Sequence, residues 1–377
     1  MNGPPTVTLR ERWLLWRNNL LASPVFQRWS MRVPLLRGTA RHHANEMFRT
    51  ITGFVHTQTL TAAVDTGIIA ALAKAPHATA VLAASAGLAL PAMQRLLAAA
   101  ASIDVVEALP GDRWTLGQRG AALSNNAGAL AMIEHHKLFY ADLADPVAML
   151  QRGRGGGELA RFWSYAEAAG RGDQASADDP GTQAYSKLMA ASQPMVAEQL
   201  LEAYDFKRHR QLLDIGGGHG AFLAEVAARH PALGLALFDL PPVAERARAV
   251  LAALGLARVA IHGGSFRDDP IPAGADVISL VRILHDHDDD VVVALLRAVH
   301  AALPAGGTLL IGEPMAGTRG AQAMGDAYFG LYLWAMGSGR PRTAAAYKAM
   351  LLCAGFRRVR EVGTAIPMVT RLLIADR

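Results

Sequence analysis

A histidine between an apolar strand-like run and a helix, followed by a glutamate closing the next such run, is where chemistry can be argued in this chain. Residues 281–290 read VRILHDHDDD, and residues 307–313 end in Glu313. An imidazole titrates near neutrality and can take a proton from a hydroxyl, so His285 is a candidate general base. Glu313 could orient that ring and stabilise its protonated form, as the acid of a triad does. The six consecutive His and Asp residues at 285–290 also suit a metal. Asp288, Asp289 and Asp290 are explained equally well as negative charge at the start of the helical run 291–303, and no metal is assigned.

A second constellation lies upstream. Residues 212–220 (LLDIGGGHG) combine a short apolar strand with a glycine-rich turn, and 221–229 then carry a helical spacing. Glycines there let backbone approach a ligand closely, and the pattern G-x-G-x-x-G closes with the permitted alanine, Ala221. That pattern is weak alone. It gains weight from Asp239, which ends the next strand about twenty residues on, where the fold places an acid on a ribose diol. No Lys-Ser/Thr follows the glycines, which argues against a triphosphate loop.

These residues need a scaffold. Strand and helix alternate after residue 211, with strands expected at 211–215, 235–239, 258–262, 275–281, 307–313, 356–364 and 368–375. That pattern predicts a parallel sheet with helices on both faces. Ligands of such sheets bind outside the carboxyl ends of the strands. The polar residues there are Asp214, Gly216, Asp239, Gly264, Ser265, Phe266, Arg282, His285 and Glu313. Upstream, helix, turn at Gly87, helix and a hairpin (103–106 with 113–116) give a winged-helix pattern. Its second helix is mostly Ala and Leu, too plain to read base edges, so we expect a scaffold and no nucleic acid. His135 and His136 are adjacent, about 100° apart on a helix, and cannot easily share a metal; one could face a pocket. Phe139, Trp163, Met189, Tyr328, Phe329, Tyr332 and Met336 are candidates for an apolar acceptor pocket, weighed evenly against core packing.

The chain has 377 residues, 51% of them hydrophobic, and a formal net charge of +5. No apolar run reaches membrane-spanning length, no secretory signal is visible, and a single cysteine excludes an intramolecular disulfide framework; a cytoplasmic location is expected. Cys353, in an apolar helical pattern before Gly355, is expected to be a buried structural thiol. Residues 1–38 are the exception in composition. Arg10, Arg12, Arg17, Arg28, Arg32 and Arg37 face one acid, Glu11, with Trp13, Trp16, Phe26 and Trp29 interleaved. Such an arm suits a membrane interface; the alternatives are packing on its own domain or on a second subunit, or nucleic acid. We divide the chain into this arm, a helical domain at 39–205 and a catalytic domain at 206–377.

Residues 213–220, Phe238-Asp239-Leu240-Pro241, residues 283–286 (ILHD), Glu313-Pro314 and Ala354-Gly355-Phe356 resemble the plant-type S-adenosylmethionine-dependent O-methyltransferases. The resemblance implies an N-terminal helical, winged-helix dimerisation domain and a C-terminal Rossmann-like domain, hence a homodimer. Residues 140–146 (YADLADP), 278–282 (ISLVR) and 325–343 are more similar to bacterial hydroxyneurosporene (demethylspheroidene) O-methyltransferases. By that resemblance Gly216 lies against the methionine moiety of S-adenosylmethionine, Asp239 holds the ribose, Phe266 flanks the adenine and Arg282 faces the cofactor. His285 is the base and Glu313 its orienter.

Three departures follow. Ser265 stands where the family has Asp. His287 replaces a Trp. Ala344-Ala345-Ala346 follows Thr343 where plant enzymes carry a second acid, which implies base orientation by Glu313 alone. The expected activity is methylation of the tertiary hydroxyl of a lipophilic 1-hydroxycarotenoid. Rivals are a phenolic polyketide or tetrapyrrole acceptor, a winged-helix regulator that binds S-adenosylmethionine without turnover, and a metal-dependent hydrolase.

Overall fold

The computed structural model describes residues 8–162 and 180–377. It divides into two compact units, residues 1–125 and 126–377. The expected boundary near 205 marks where the large sheet begins. The helices Ala127–Leu143 and Pro180–Ala203 pack against one another inside the second unit, so the compact unit starts earlier.

In the first unit, helices Leu9–Ala22, Pro24–Arg32 and Pro34–Asp65 follow one another. Thr8 and Glu11 form a capping box on the first, and Ser23 accepts the Phe26 amide to start the second. Downstream lie helices Thr79–Ala86 and Leu90–Ser102, separated by Gly87 in the left-handed region. A three-stranded antiparallel sheet completes the winged helix: β1 (His77–Ala78), β2 (Val106–Leu109) and β3 (Arg113–Leu116), in the order β1-β3-β2. β2 starts at Val106, later than expected, because the second helix runs through Ser102 and Asp104 then turns with positive φ. Thr79 fixes the wing: its hydroxyl donates to Asp112 and accepts from the Trp114 indole.

The second unit is built on seven strands: β4 (Gln211–Ile215), β5 (Gly234–Asp239), β6 (Ala260–Gly263), β7 (Val277–Val281), β8 (Thr308–Glu313), β9 (Arg357–Val362) and β10 (Arg371–Asp376). Their order is β6-β5-β4-β7-β8-β10-β9; β4 to β8 pair in parallel, and β10 is antiparallel to both neighbours. β7 is buried at every residue, as a parallel strand covered on both faces must be. One face packs with Val292, Leu296, Val299, Tyr347 and Leu351, the other with Leu200, Phe222, Val226 and Leu251. This is the expected α/β fold, with the carboxyl ends of β4, β5, β7 and β8 on one edge. Cys353 corrects an expectation: it is exposed, because the helix Ala344–Cys353 buries the face of Tyr347 and Leu351, and position 353 lies about 200° further round.

Candidate active site

The glycine turn after β4 is shaped by the residues around it. Gly216, Gly218 and Gly220 all have positive φ. At Gly216 a Cβ would come within 2.4 Å of Ile283, so the loop passes directly over the strand that leads to His285. Gly218 faces open space, while its amide donates to Asp239 at 2.8 Å, joining loop and acid. The other Asp239 oxygen accepts the Leu240 amide at 2.7 Å. A carboxylate has about four acceptor positions, so two remain for a diol beside an open glycine, and the residues fit a ribose. Burial pushes Asp239 up to about 6 despite these two amides.

Asp214 lies beneath the turn, where it accepts the Ser279 hydroxyl at 2.6 Å; burial pushes its pKa up to about 7. Gly264 donates its amide to the Asp239 carbonyl. The Ser265 hydroxyl accepts the Arg267 amide, and Asp269, four residues later, takes the Ser265 amide. His287 packs edge-on against Phe266 at 5.2 Å. Burial and then the Arg267 guanidinium lower its pKa to about 4, so the residue replacing the family's Trp is a neutral ring against Phe266. Arg282 sits at φ 58, a left-handed conformation that a non-glycine residue adopts at a cost of about 1–2 kcal/mol. Its amide donates to Gly312 and its guanidinium to Ser192.

His285 is 4% exposed and Glu313 is fully buried. Glu313 accepts the His285 Nδ1 hydrogen with one oxygen, and the Ile283 and Leu284 amides with the other at 2.9 and 2.6 Å. One side chain therefore sets both the ring and the backbone that carries it. Asp286 lies 3.2 Å from His285 Nε2, so a second carboxylate stands beside the ring. Burial pulls the His285 pKa down, but Asp286 and Glu313 outweigh it and the net shift is upward. Sequence reasoning gave Asp286 no role, because spacing along the chain does not fix where a side chain on the single 3-10 turn at 284–286 points.

The acceptor-pocket candidates fall into two groups. Phe139, Tyr328, Phe329, Tyr332 and Met336 share one apolar cluster, and the Phe329 ring lies 5.5 Å from His285. A π-helical stretch, Ala323–Tyr328, leads into the helix Phe329–Met336, and Tyr328 stacks on Tyr332 at 5.5 Å. Trp163 and the Met189 side chain lie outside the described residues. His135 and His136 both serve this cluster. The first pairs with the Tyr332 hydroxyl at 2.6 Å and the second with Tyr328 at 2.8 Å, each pKa lowered chiefly by burial. The tyrosine hydroxyls are thus tied back to neutral imidazoles, on a wall otherwise built of apolar groups. The His/Asp run at 285–290 is divided between His285, arginines and the helix start, and no cluster able to hold a metal occurs among the described residues.

A buried histidine–glutamate pair at the strand edge beside a glycine-rich turn suits group transfer, and comparison with known proteins gives the class. Residues 140–357 match the family model of the O-methyltransferase domain, and residues 48–124 that of the O-methyltransferase dimerisation domain. The chain belongs to the O-methyltransferase family, and its dimerisation domain supports a homodimer. It is 44% identical to the demethylspheroidene O-methyltransferase of Cereibacter sphaeroides, over 95% of this chain and 93% of that protein. To the Rhodobacter capsulatus protein of the same name it is 43% identical, over 92% and 85%. A solved methyltransferase of calicheamicin biosynthesis, in its SAH-bound form, aligns at TM-score 0.72 and 28% identity, over 89% of this chain and 98% of that one.

Proposed function

We propose that this enzyme transfers the methyl group of S-adenosylmethionine to the tertiary hydroxyl of a 1-hydroxycarotenoid, with His285 as general base and Glu313 as its orienter. The observation that carries the reading is the buried His285–Glu313 pair beside an apolar aromatic wall, in a chain 44% identical to a demethylspheroidene O-methyltransferase. Bound S-adenosylmethionine supplies a methyl carbon already attached to a positively charged leaving group. Gly216, Asp239, Gly264, Ser265, Phe266 and Arg282 would hold it at the strand edge, with Asp214 supporting the turn from below.

The protein's main task is then alignment, which supplies roughly 7–11 kcal/mol in well-oriented reactions. A tertiary alcohol is far less acidic than an imidazolium, so His285 takes the proton as the new C–O bond forms. Phe139, Tyr328, Phe329, Tyr332 and Met336 would line the polyene's path. With their hydroxyls bound to His135 and His136, the two tyrosines offer ring surface to an acceptor that has no use for hydrogen bonds.

Mass spectrometry after incubation with S-adenosylmethionine and 1-hydroxyneurosporene or demethylspheroidene, with chelator present, tests this. A methyl ether is expected. No product, with cofactor binding intact, would reject the carotenoid acceptor and turn attention to phenols.

The arm at 1–38 bears on how a lipophilic acceptor arrives. Trp13, Trp16 and Trp29 are each more than half exposed, among arginines with one acid. Trp suits the headgroup level and Arg meets anionic lipid. We expect a chain lacking residues 1–38 to sediment less with anionic liposomes and to turn over vesicle-dissolved carotenoid more slowly. Unchanged sedimentation and turnover would confine the arm to a packing role.

A further inference from the structure

The segment 337–343 (GSGRPRT) has no part in the chemistry above, yet it lies against the backbone that carries the base. Gly339 has positive φ, and a Cβ there would come within 2.0 Å of the His285 carbonyl oxygen and 2.6 Å of the Asp286 carbonyl carbon. No side chain could occupy that position without displacing the catalytic turn. The approach is used for hydrogen bonding. Arg342 Nη1 donates to the Leu284 carbonyl at 2.7 Å, the Arg340 amide to His285 at 3.0 Å, the Ser338 hydroxyl to Asp286 at 2.9 Å, and Arg342 Nη2 to His287 at 2.7 Å. Every carbonyl from 284 to 287 is therefore taken by this one segment, while Glu313 holds the amides of 283 and 284 from the other side.

Arg342 is 1% exposed, and a buried guanidinium is tolerable only when its donors are filled and its charge is met. Four of its five N–H donors have a partner, and the charge is met. Nε and Nη2 reach Asp289 at 2.9 and 2.6 Å, and the charge lies 5.8 Å from the Tyr347 ring. Arg340 bonds the same carboxylate from outside, and the hydrogen bonds from the two guanidiniums, Arg340 first, hold Asp289 down at about 2. The segment is anchored in turn to the exit of β8, where the Ala316 amide donates to the Arg342 carbonyl at 3.0 Å. The strand bearing Glu313 and the turn bearing His285 are thereby fixed to one another through Arg342.

We propose that residues 337–343 form a strap that sets the position of His285, with Arg342 as its positioning residue. The planar fork reaches two carbonyls three residues apart and a carboxylate at once. Lysine, a point charge on a flexible stem, cannot. The strap explains how a base on a single short turn keeps its aim without the second acid of the plant-type pattern. It rests on the assignment of His285 as base, so the test must separate the two.

The full-length Arg342→Lys and Ser338→Ala proteins would be compared with wild type for kcat, for KM of S-adenosylmethionine, and for the His285 imidazole titration followed by NMR without cofactor. For Arg342→Lys we expect kcat to fall roughly 10²-fold, the loss a misplacement of about 1 Å can cause, with the donor KM unchanged and the His285 titration displaced. For Ser338→Ala, one neutral hydrogen bond, we expect a fall of about threefold to tenfold. A folded Arg342→Lys protein with wild-type kcat and titration would overturn the strap. So would an unchanged Ser338→Ala enzyme if Arg342→Lys does not fold. Failure of the base assignment looks different: His285→Ala would then retain full turnover whatever the strap variants do.

Discussion

His285→Ala is expected to lower turnover by about 10²–10⁴-fold, the contribution of a positioned general base, while donor binding stays intact. The proposed donor cradle lies on β4, β5 and the Gly264 turn, and none of the hydrogen bonds there passes through the imidazole. Isothermal titration with S-adenosylhomocysteine and turnover measured on the same preparation check the two halves. His285→Gln, which keeps bulk against Phe329, guards against an effect of lost packing alone. The wild-type pH profile carries a sign. His285 must be neutral to act, and its pKa lies above the ordinary 6.5 because Asp286 and Glu313 favour the charged ring more than burial opposes it. The acid limb of kcat should therefore fall above pH 6.5 and be absent from the alanine variant.

Glu313→Gln should come close to the same loss for a different reason. A carboxylate can only accept, so Nδ1 carries the hydrogen and Nε2 of the neutral ring is left to take the acceptor's proton. A glutamine can keep its oxygen on the Ile283 and Leu284 amides, but its NH2 then faces Nδ1 as a donor. The hydrogen moves to Nε2, and the ring presents the wrong tautomer, an error that costs about 10⁴-fold in a serine protease triad. Whatever activity survives should show its acid limb at lower pH than wild type, since one of the two carboxylates that raise the His285 pKa has gone. Turnover across pH for the variant, with melting temperature as a control, decides this. An unshifted limb with full activity would remove Glu313 from the mechanism. Glu313→Ala should be worse for folding, because it leaves two buried amides unpaired at about 1–3 kcal/mol each.

The sheet and the residues along its carboxyl edge were legible without coordinates. The sheet strands could be placed because a parallel strand covered on both faces is nearly all apolar, as β7 is but for Ser279, and polar residues or glycines then mark the carboxyl ends. That rule led to Gly216, Asp239, Arg282, His285 and Glu313 together. The helix start at 288–290 and the winged-helix order were equally local, set by charge, proline and glycine within a few residues.

What only the tertiary structure decided lies where distant residues meet or where local geometry departs from the regular. Asp286, on a single 3-10 turn, comes within 3.2 Å of the ring. His135 and His136 are spent on Tyr332 and Tyr328, almost two hundred residues away. Cys353 is exposed because about half a turn of helix phase separates it from the buried face. Arg342, one charge among many in the sequence, becomes an enclosed fork on the Leu284 and His287 carbonyls and the carboxylate of Asp289. Composition and periodicity report what each segment prefers by itself. They carry no record of which carbonyl a buried guanidinium will find, because that depends on the close approach Gly339 permits once the sheet has formed.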